Sequence, residues 1–305
     1  MNQSSVIVDS LSKSYGKVSA ISDISFHVEK GEIFGCIGPD GAGKTTLFRI
    51  MVTLLLPGKG KVSVEGFDVV RDYKKIRKIV GYMPGRFSLY QDLSVEENLK
   101  FFAGSFNTTI SENYYLIEDI YKQIEPFKTR LAGRLSGGMK QKLALSCALI
   151  HKPLVLFLDE PTTGVDAVSR KEFWEMLKRL KEWGITIVVS TPYMDEASLC
   201  DRVALMQDGE ILSIDTPGRI IDGFDKPLAE IHTDNMFDLV DDLRSFDGCN
   251  SAYRFGAGVH YTTLEQKMNT AELKKDLAAK GHEKIKISMI DPGIEDCFME
   301  LMRKR

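Results

Sequence analysis

Apolar positions along this chain fall into a few kinds of run, and each predicts an element. In "SAISDISFHVEKGE", residues 19–32, apolar and polar residues alternate, as they do in a half-buried antiparallel strand. The unbroken runs in "IFGCIG", "IVGYMP", "LVLFLDE" and "ITIVVS" have the length of strands covered on both faces. Helical periodicity fills the spaces between them. "KTTLFRIMVTLL" predicts a helix running towards Pro57-Gly58, residues 92–150 read mostly as helix, and further helices are expected over 167–182 and after Asp195. Ser94 stands three residues before Glu97, the spacing of a capping box at a helix start. "GKVSVEGFDV" predicts a strand and turn, and "RVALMQDGEIL" a hairpin turning at Asp208-Gly209.

Buried strands alternating with helices predict an α/β fold, here a mixed sheet core with an antiparallel β subdomain at the start and a helical insertion over about 86–150. Around "DGFDKP", residues 222–227, the pattern resets. The C-terminal residues then read strand 228–233, helix 235–245, strands 251–255 and 258–263, helix 270–280, strand 284–290, and a last helix from Gly293. That β-α-β-β-α-β order predicts a small α+β ferredoxin-like domain, giving expected domains of 1–222 and 223–305.

Composition narrows the partners. The 305 residues are 43% hydrophobic and 27% charged, with a formal net charge of -3, so nothing favours nucleic acid as a partner. The five cysteines lack a C-x-x-C pair and read as reduced thiols of a cytoplasmic protein. The N-terminus has neither the basic nor the long apolar region of a signal peptide, and no apolar run reaches the roughly 18–20 residues of a membrane span. Any membrane role therefore calls for another polypeptide that crosses the bilayer.

Candidate chemistry begins at "GPDGAGKTT", Gly38–Thr46, which fits the P-loop spacing of Gly38, Gly43, Lys44 and Thr45. Backbone N–H groups of Asp40, Gly41, Ala42, Gly43 and Thr46 can converge on phosphate oxygens, at the positive end of the helix that follows. Lys44 is expected to reach the β- and γ-phosphates, and the Thr45 hydroxyl to ligate Mg²⁺. "LVLFLDE" places Asp159 and Glu160 at a strand's C-terminal end, Asp159 as a Mg²⁺ partner and Glu160 as the general base acting on water. "LSGGMKQ" sets Ser136, Gly137 and Gly138 at the start of a helix. This is a second N-terminus suited to phosphate, where Ser136 also serves as a plain N-cap.

With those two motifs, the "LSGGMKQ" heptapeptide resembles the signature of ATP-binding cassette (ABC) proteins over residues 5 to about 220. The resemblance implies two cassettes paired head to tail, with each ATP lying between the P-loop of one and the signature of the other. It implies that Tyr15 stacks on adenine and that Asp166 lies in a loop crossing to the opposite site. It also implies that "RFSLYQDL", with Arg86, Phe87 and Tyr90, faces a coupling helix of a membrane subunit. The "GPDGAGKTT" and "STPYMDEA" stretches resemble the first cassette of two-cassette bacterial ATPases serving ABC-2-type exporters. By that resemblance the chain is the ATPase subunit of an exporter, held at the inner face of the cell membrane through its membrane subunits and needing a second cassette, hetero- or homodimeric. The tail "IDPGIEDCFMELM" resembles the extension of the same ATPases.

Two positions depart from the family. Gly85 stands where it usually has a glutamine that completes the Mg²⁺ and water shell. Pro192 stands where a histidine usually contacts the γ-phosphate, and proline offers neither a side-chain donor nor a backbone N–H. Gln91 lies six positions past Gly85, and His151 lies before the acid-pair strand; neither is well placed in sequence to substitute. The expectation is a chain that binds MgATP but hydrolyses slowly at its own P-loop. The alternative is a non-hydrolysing, ATP-dependent clamp.

Overall fold

A computed structural model describes residues 4–303. These residues form two compact units, one running through Gly218 with the last residues from Glu300 grouped with it, the other Arg219–Met299.

The first unit opens with β1 (Ser4–Tyr15) and β2 (Val18–Glu29), a long antiparallel pair, followed by β3 (Ile33–Ile37) and α1 (Lys44–Met51). Next come β4 (Lys59–Val64), β5 (Phe67–Asp68), α2 (Tyr73–Ile79) and β6 (Val80–Met83). The helical insertion contains α3 (Val95–Ser105), α4 (Ile110–Tyr121) and α5 (Gly137–Leu149). The chain returns through β7 (Val155–Asp159), α6 (Ala167–Glu182), β8 (Thr186–Thr191), β9 (Arg202–Gln207) and β10 (Glu210–Asp215).

Two sheets result. The antiparallel one has the order β2-β1-β4-β5 and the six-stranded one β10-β9-β3-β8-β7-β6, parallel except at the β9–β10 hairpin. All residues of β3, β7 and β8 are buried, which is why those runs lack polar alternation. Val6, Val8, Leu11 and Phe26 of the antiparallel sheet share a core with α1 and with Phe34, Phe157 and Val188 of the parallel sheet. Phe48 of α1 meets Phe157 edge-on with ring centroids 6.1 Å apart, fixing the helix against the sheet.

Two elements differ from the periodicity. α1 stops at Met51, because Thr53 turns to φ 64° and the amides of Leu54 and Leu55 fold back onto the carbonyl of Arg49. Residues Met194–Leu199 form a 3₁₀ helix where an α-helix was expected; the strand resumes at Arg202, leaving six residues for the element.

The second unit begins within α7 (Pro217–Asp222). It contains β11 (Leu228–His232), α8 (Leu239–Arg244), β12 (Cys249–Phe255), β13 (Gly258–Thr263), α9 (Thr270–Ala279), β14 (Lys286–Met289) and the start of α10 (Ile294–Arg303), whose residues from Glu300 are grouped with the first unit. Its strands are antiparallel in the order β12-β13-β11-β14, the ferredoxin-like arrangement. Ala229, Ile231, Ala252, Val259 and Tyr261 face Leu239 and Leu243 of α8 and Leu273 and Leu277 of α9. Among the described residues no helix is long and apolar enough to cross a membrane.

Candidate functional site

Strand register builds the site. β3, β8 and β7 lie side by side, with Ile37 opposite Thr191 and Asp159 opposite Ser190. Their C-terminal ends therefore bring together the loop after β3, the acid pair after β7 and the turn holding Pro192 after β8. The loop after β3 is seated so closely that a Cβ on Gly38 would meet the carbonyl of Met206, and one on Gly43 the carbonyl of Ala20. Gly43 has φ 96° and leads into α1.

Lys44 is 3% exposed. Its Nζ donates to the carbonyls of Gly38 at 2.7 Å and Pro39 at 2.9 Å and pairs with Glu160 Oε1 at 3.2 Å. These contacts carry the ammonium into a buried place where an unpaired cation would be costly. Thr45 Oγ1 donates to Asp159 Oδ1 at 3.3 Å, so the two oxygen donors expected to hold Mg²⁺ stand together. A hydroxyl beside a carboxylate is a hard-oxygen set that suits Mg²⁺. A pocket of about 170 Å³ is lined by Ala20, Gly41, Ala42, Gly43, Lys44, Thr45, Thr46 and Glu160.

Ser190 was not among the residues singled out from sequence. Its hydroxyl donates to Asp159 Oδ1 at 2.7 Å and accepts from the Glu160 amide at 3.0 Å, while its carbonyl accepts from the same amide at 3.1 Å. These contacts hold Glu160 at φ 51°, a left-handed conformation unusual for a residue with a side chain. The only sequence signal was a hydroxyl ending an apolar strand. Glu196 is a second such residue. It is 2% exposed, accepts from Thr162 Oγ1 at 3.1 Å and stands 3.9 Å from Arg170 Nε. Arg170 also lies over the Tyr193 ring, 5.0 Å from its centroid, tying the turn beyond Pro192 to the start of α6.

Gly85 lies beside the acid pair: a Cβ there would stand 3.0 Å from the Asp159 carbonyl oxygen and 3.7 Å from Glu160 Cβ. His151 is engaged elsewhere. Its Nε2 meets the Val80 carbonyl at 3.0 Å and its ring stacks on Phe106 at 3.8 Å. Burial pushes its pKa below the ordinary histidine value.

Other expected residues do not line the pocket. Tyr15 is 49% exposed at the end of β1, with the Lys13 ammonium 5.8 Å from its ring centroid. Asp40 stands outside the lining. Ser136 caps α5 through the Met139 amide, and Ser136 and Gly137 are exposed. A Cβ on Gly138 would lie 3.4 Å from Ser169 Oγ, and Ser169 in turn donates to Asp166 Oδ2 at 2.8 Å. Residues 136–138 and Asp166 thus form one outward-facing group. Backbone and side-chain bonds from Ser169 hold the Asp166 carboxyl below the ordinary range.

Beside the Arg86–Tyr90 stretch is an apolar cleft of about 320 Å³, with Met83, Leu89, Phe102, Phe106, Cys147 and His151 in its walls. Asn98, fully buried, pins this stretch by accepting from the Tyr90 amide at 3.0 Å and donating to the Tyr90 carbonyl at 2.9 Å and the Ser94 carbonyl at 3.0 Å.

Comparison with known proteins places this geometry among relatives. Residues 21–163 match the ABC transporter family. The chain is 42% identical over 213 residues, 68% of its length, to the probable multidrug ABC transporter ATP-binding protein YbhF of Escherichia coli, of which it spans only 36%. It is 30% identical to the linearmycin resistance ATP-binding protein LnrL of Bacillus subtilis, covering 92% of this chain and 88% of that one. It is 31% identical to the Nod factor export ATP-binding protein I of a Rhizobium species, covering 99% and 98%. Among solved structures, an ATP-binding subunit of an ABC transporter aligns at a TM-score of 0.65 and 26% identity, covering 71% of this chain and 92% of that one. The dimeric cassette MJ0796 bound to ADP and Pi aligns at 0.63 and 26%, covering 69% and 98%.

Proposed function

The chain belongs to the ABC transporter family, and from that premise we propose that it is the ATP-binding subunit of an exporter, intact for MgATP binding but impaired for hydrolysis at its own P-loop. The observation that carries this reading is the pairing of a complete Lys44–Thr45–Asp159–Glu160 cluster with Gly85 and Pro192 at its edge. The export assignment draws on the relatives named for multidrug handling and Nod factor export.

Each retained group has a task. Amides of residues 40–46 and Lys44 would bind the phosphates, and Tyr15 would offer its exposed ring to adenine. Thr45 and Asp159 would hold Mg²⁺, which when bound offsets charge on the phosphates. Glu160 would accept the proton of the attacking water. What is absent is a donor at Pro192 and a side chain at Gly85 to orient that water. Removing one such stabilising group costs on the order of 10²–10³ in rate, roughly 3–4 kcal/mol, and two losses in one site do not simply add.

The impairment belongs to one side of a cassette pair. Ser136–Gly138 and Asp166 face outward together, which suits completion of a site on a second cassette. The apolar cleft beside Arg86, Phe87 and Tyr90 suits a coupling helix from an ABC-2-type membrane subunit, which would hold the chain at the inner membrane face. A clamp that binds ATP without turnover is the second reading, favoured by the same two positions. Binding of a fluorescent ATP analogue with Mg²⁺, followed by single-turnover hydrolysis, tests both readings. Tight binding lost in Lys44→Ala, with slow but measurable turnover lost in Glu160→Gln, supports the first. Binding without turnover supports the clamp, and absence of binding refutes both.

A further inference from the structure

From Arg71 to Lys78 the chain carries five cations and one carboxylate, although its formal net charge is -3. This stretch forms α2 and the turn before it, in the first unit. Ile76 faces the core, while Tyr73, Lys74, Arg77 and Lys78 are exposed. Lys75 is matched by Asp72 at 2.8 Å, and no ion pair engages Lys74 or Lys78 among the described residues. Those two lysines stand one turn apart on the same face of α2. Unmatched positive charge is thus gathered on one side of a chain whose other residues are net negative.

Charge alone would be a solvated face. The independent feature is apolar. Leu54 is 59% exposed and Leu56 63%, just past the end of α1. Arg77 ties that turn to α2, its Nε donating to Thr53 Oγ1 at 2.8 Å and its Nη2 to the Thr53 carbonyl at 2.8 Å. The same guanidinium lies 5.2 Å from the centroid of the exposed Tyr73 ring. Leucines, tyrosine and lysines therefore belong to one surface. The Leu54 amide donates to the Arg49 carbonyl at 2.8 Å, which fixes the backbone from which that side chain projects. Exposed apolar side chains beside unmatched cations call for a partner that is both anionic and apolar.

A bilayer containing anionic lipids offers both, with phosphate at its surface and hydrocarbon just beneath. Nucleic acid would match the cations but leave both leucines in water. Position agrees, since Leu54 and Arg77 also wall the apolar cleft assigned above to a membrane subunit. We propose that the surface made by Leu54, Leu56, Tyr73, Lys74 and Lys78 docks on an anionic lipid headgroup layer. The lysines lie against lipid phosphates, and the leucines enter the boundary between headgroups and acyl chains. The contact is peripheral, because no helix among the described residues can cross a bilayer.

Co-sedimentation of the full chain with vesicles tests this without any membrane subunit, so its failure leaves the ATP-binding reading untouched. The vesicles are phosphatidylcholine alone, or phosphatidylcholine with about 30 mol% phosphatidylglycerol. Binding is expected to the second and not the first, and to weaken as salt rises from about 0.1 to about 0.5 M. K74E/K78E is expected to bind at least about tenfold more weakly, and L54S/L56S several-fold more weakly. All four side chains are exposed, so both variants are expected to keep the wild-type melting temperature and affinity for the ATP analogue. Equal binding to the two kinds of vesicle overturns the proposal, as does affinity unchanged in K74E/K78E. So does tighter retention by double-stranded DNA at equal phosphate, unaffected in L54S/L56S, which would mark a nucleic-acid surface.

Discussion

Pro192 and Gly85 leave different room for repair. Pro192 lies in a turn whose neighbours are already tied down, the Thr191 carbonyl by the Gly38 amide at 3.2 Å and the Tyr193 amide by Thr191 Oγ1 at 3.1 Å. A histidine there has a fixed backbone to stand on. Gly85 is exposed, yet a Cβ would press on the Asp159 carbonyl oxygen at 3.0 Å. Gly85→Gln is therefore expected to lower the melting temperature by a few degrees, consistent with a cost of about 1 kcal/mol, and to raise turnover less than Pro192→His does. Thermal unfolding checks the first expectation; an unchanged melting temperature would show that the acid pair yields freely. Both departures were legible in the sequence, Pro192 inside "STPYMDEA" and Gly85 between "IVGYMP" and "RFSLYQDL". Ser190 and Glu196 were not, since their partners Asp159 and Thr162 lie some thirty positions away and meet them only through strand order.

Elements were readable where the local signals agreed. α6 runs over 167–182 as expected because Asp166 caps it through the amides of Val168 and Ser169 and Gly184 turns beyond its end with φ 82°. The capping box of Ser94 and Glu97 likewise starts α3. Over Met194–Leu199 the pattern fits either helix type, and length decided between them.

Asn98→Ala removes four bonds that pin residues 90–94, leaving buried backbone groups without partners. A loss of about 1–3 kcal/mol in urea unfolding is expected, with faster proteolysis within residues 86–93. His151 carries a pH dependence of known sign. Its folded pKa lies below its ordinary value of 6.5, so the unfolded chain takes up the proton more readily. The stability that the neutral ring contributes is whole above pH 6.5 and is lost as pH falls towards the folded pKa. The melting temperature should therefore drop between about pH 7 and 5.5, and His151→Phe, which keeps an aromatic ring against Phe106, should flatten that drop. Equal slopes in the two proteins would remove His151 from the account.

At the scale of the whole molecule, the residues divide by the site they serve. Lys44, Thr45 and Glu160 line one pocket, with Asp159 bonded to Thr45 beside it, while Ser136–Gly138 and Asp166 stand together facing outward. Periodicity anticipated the strands and the β-α-β-β-α-β order of the second unit. The division makes turnover at this chain's own P-loop the quantity on which the account rests. The deciding measurement is steady-state MgATP hydrolysis by the purified chain and by Pro192→His under the same conditions. Slow wild-type turnover is expected, with a rate roughly 10- to 10²-fold higher in the variant at unchanged affinity for ATP. Wild-type turnover of about 1–10 per second, left unaltered by the substitution, would contradict it.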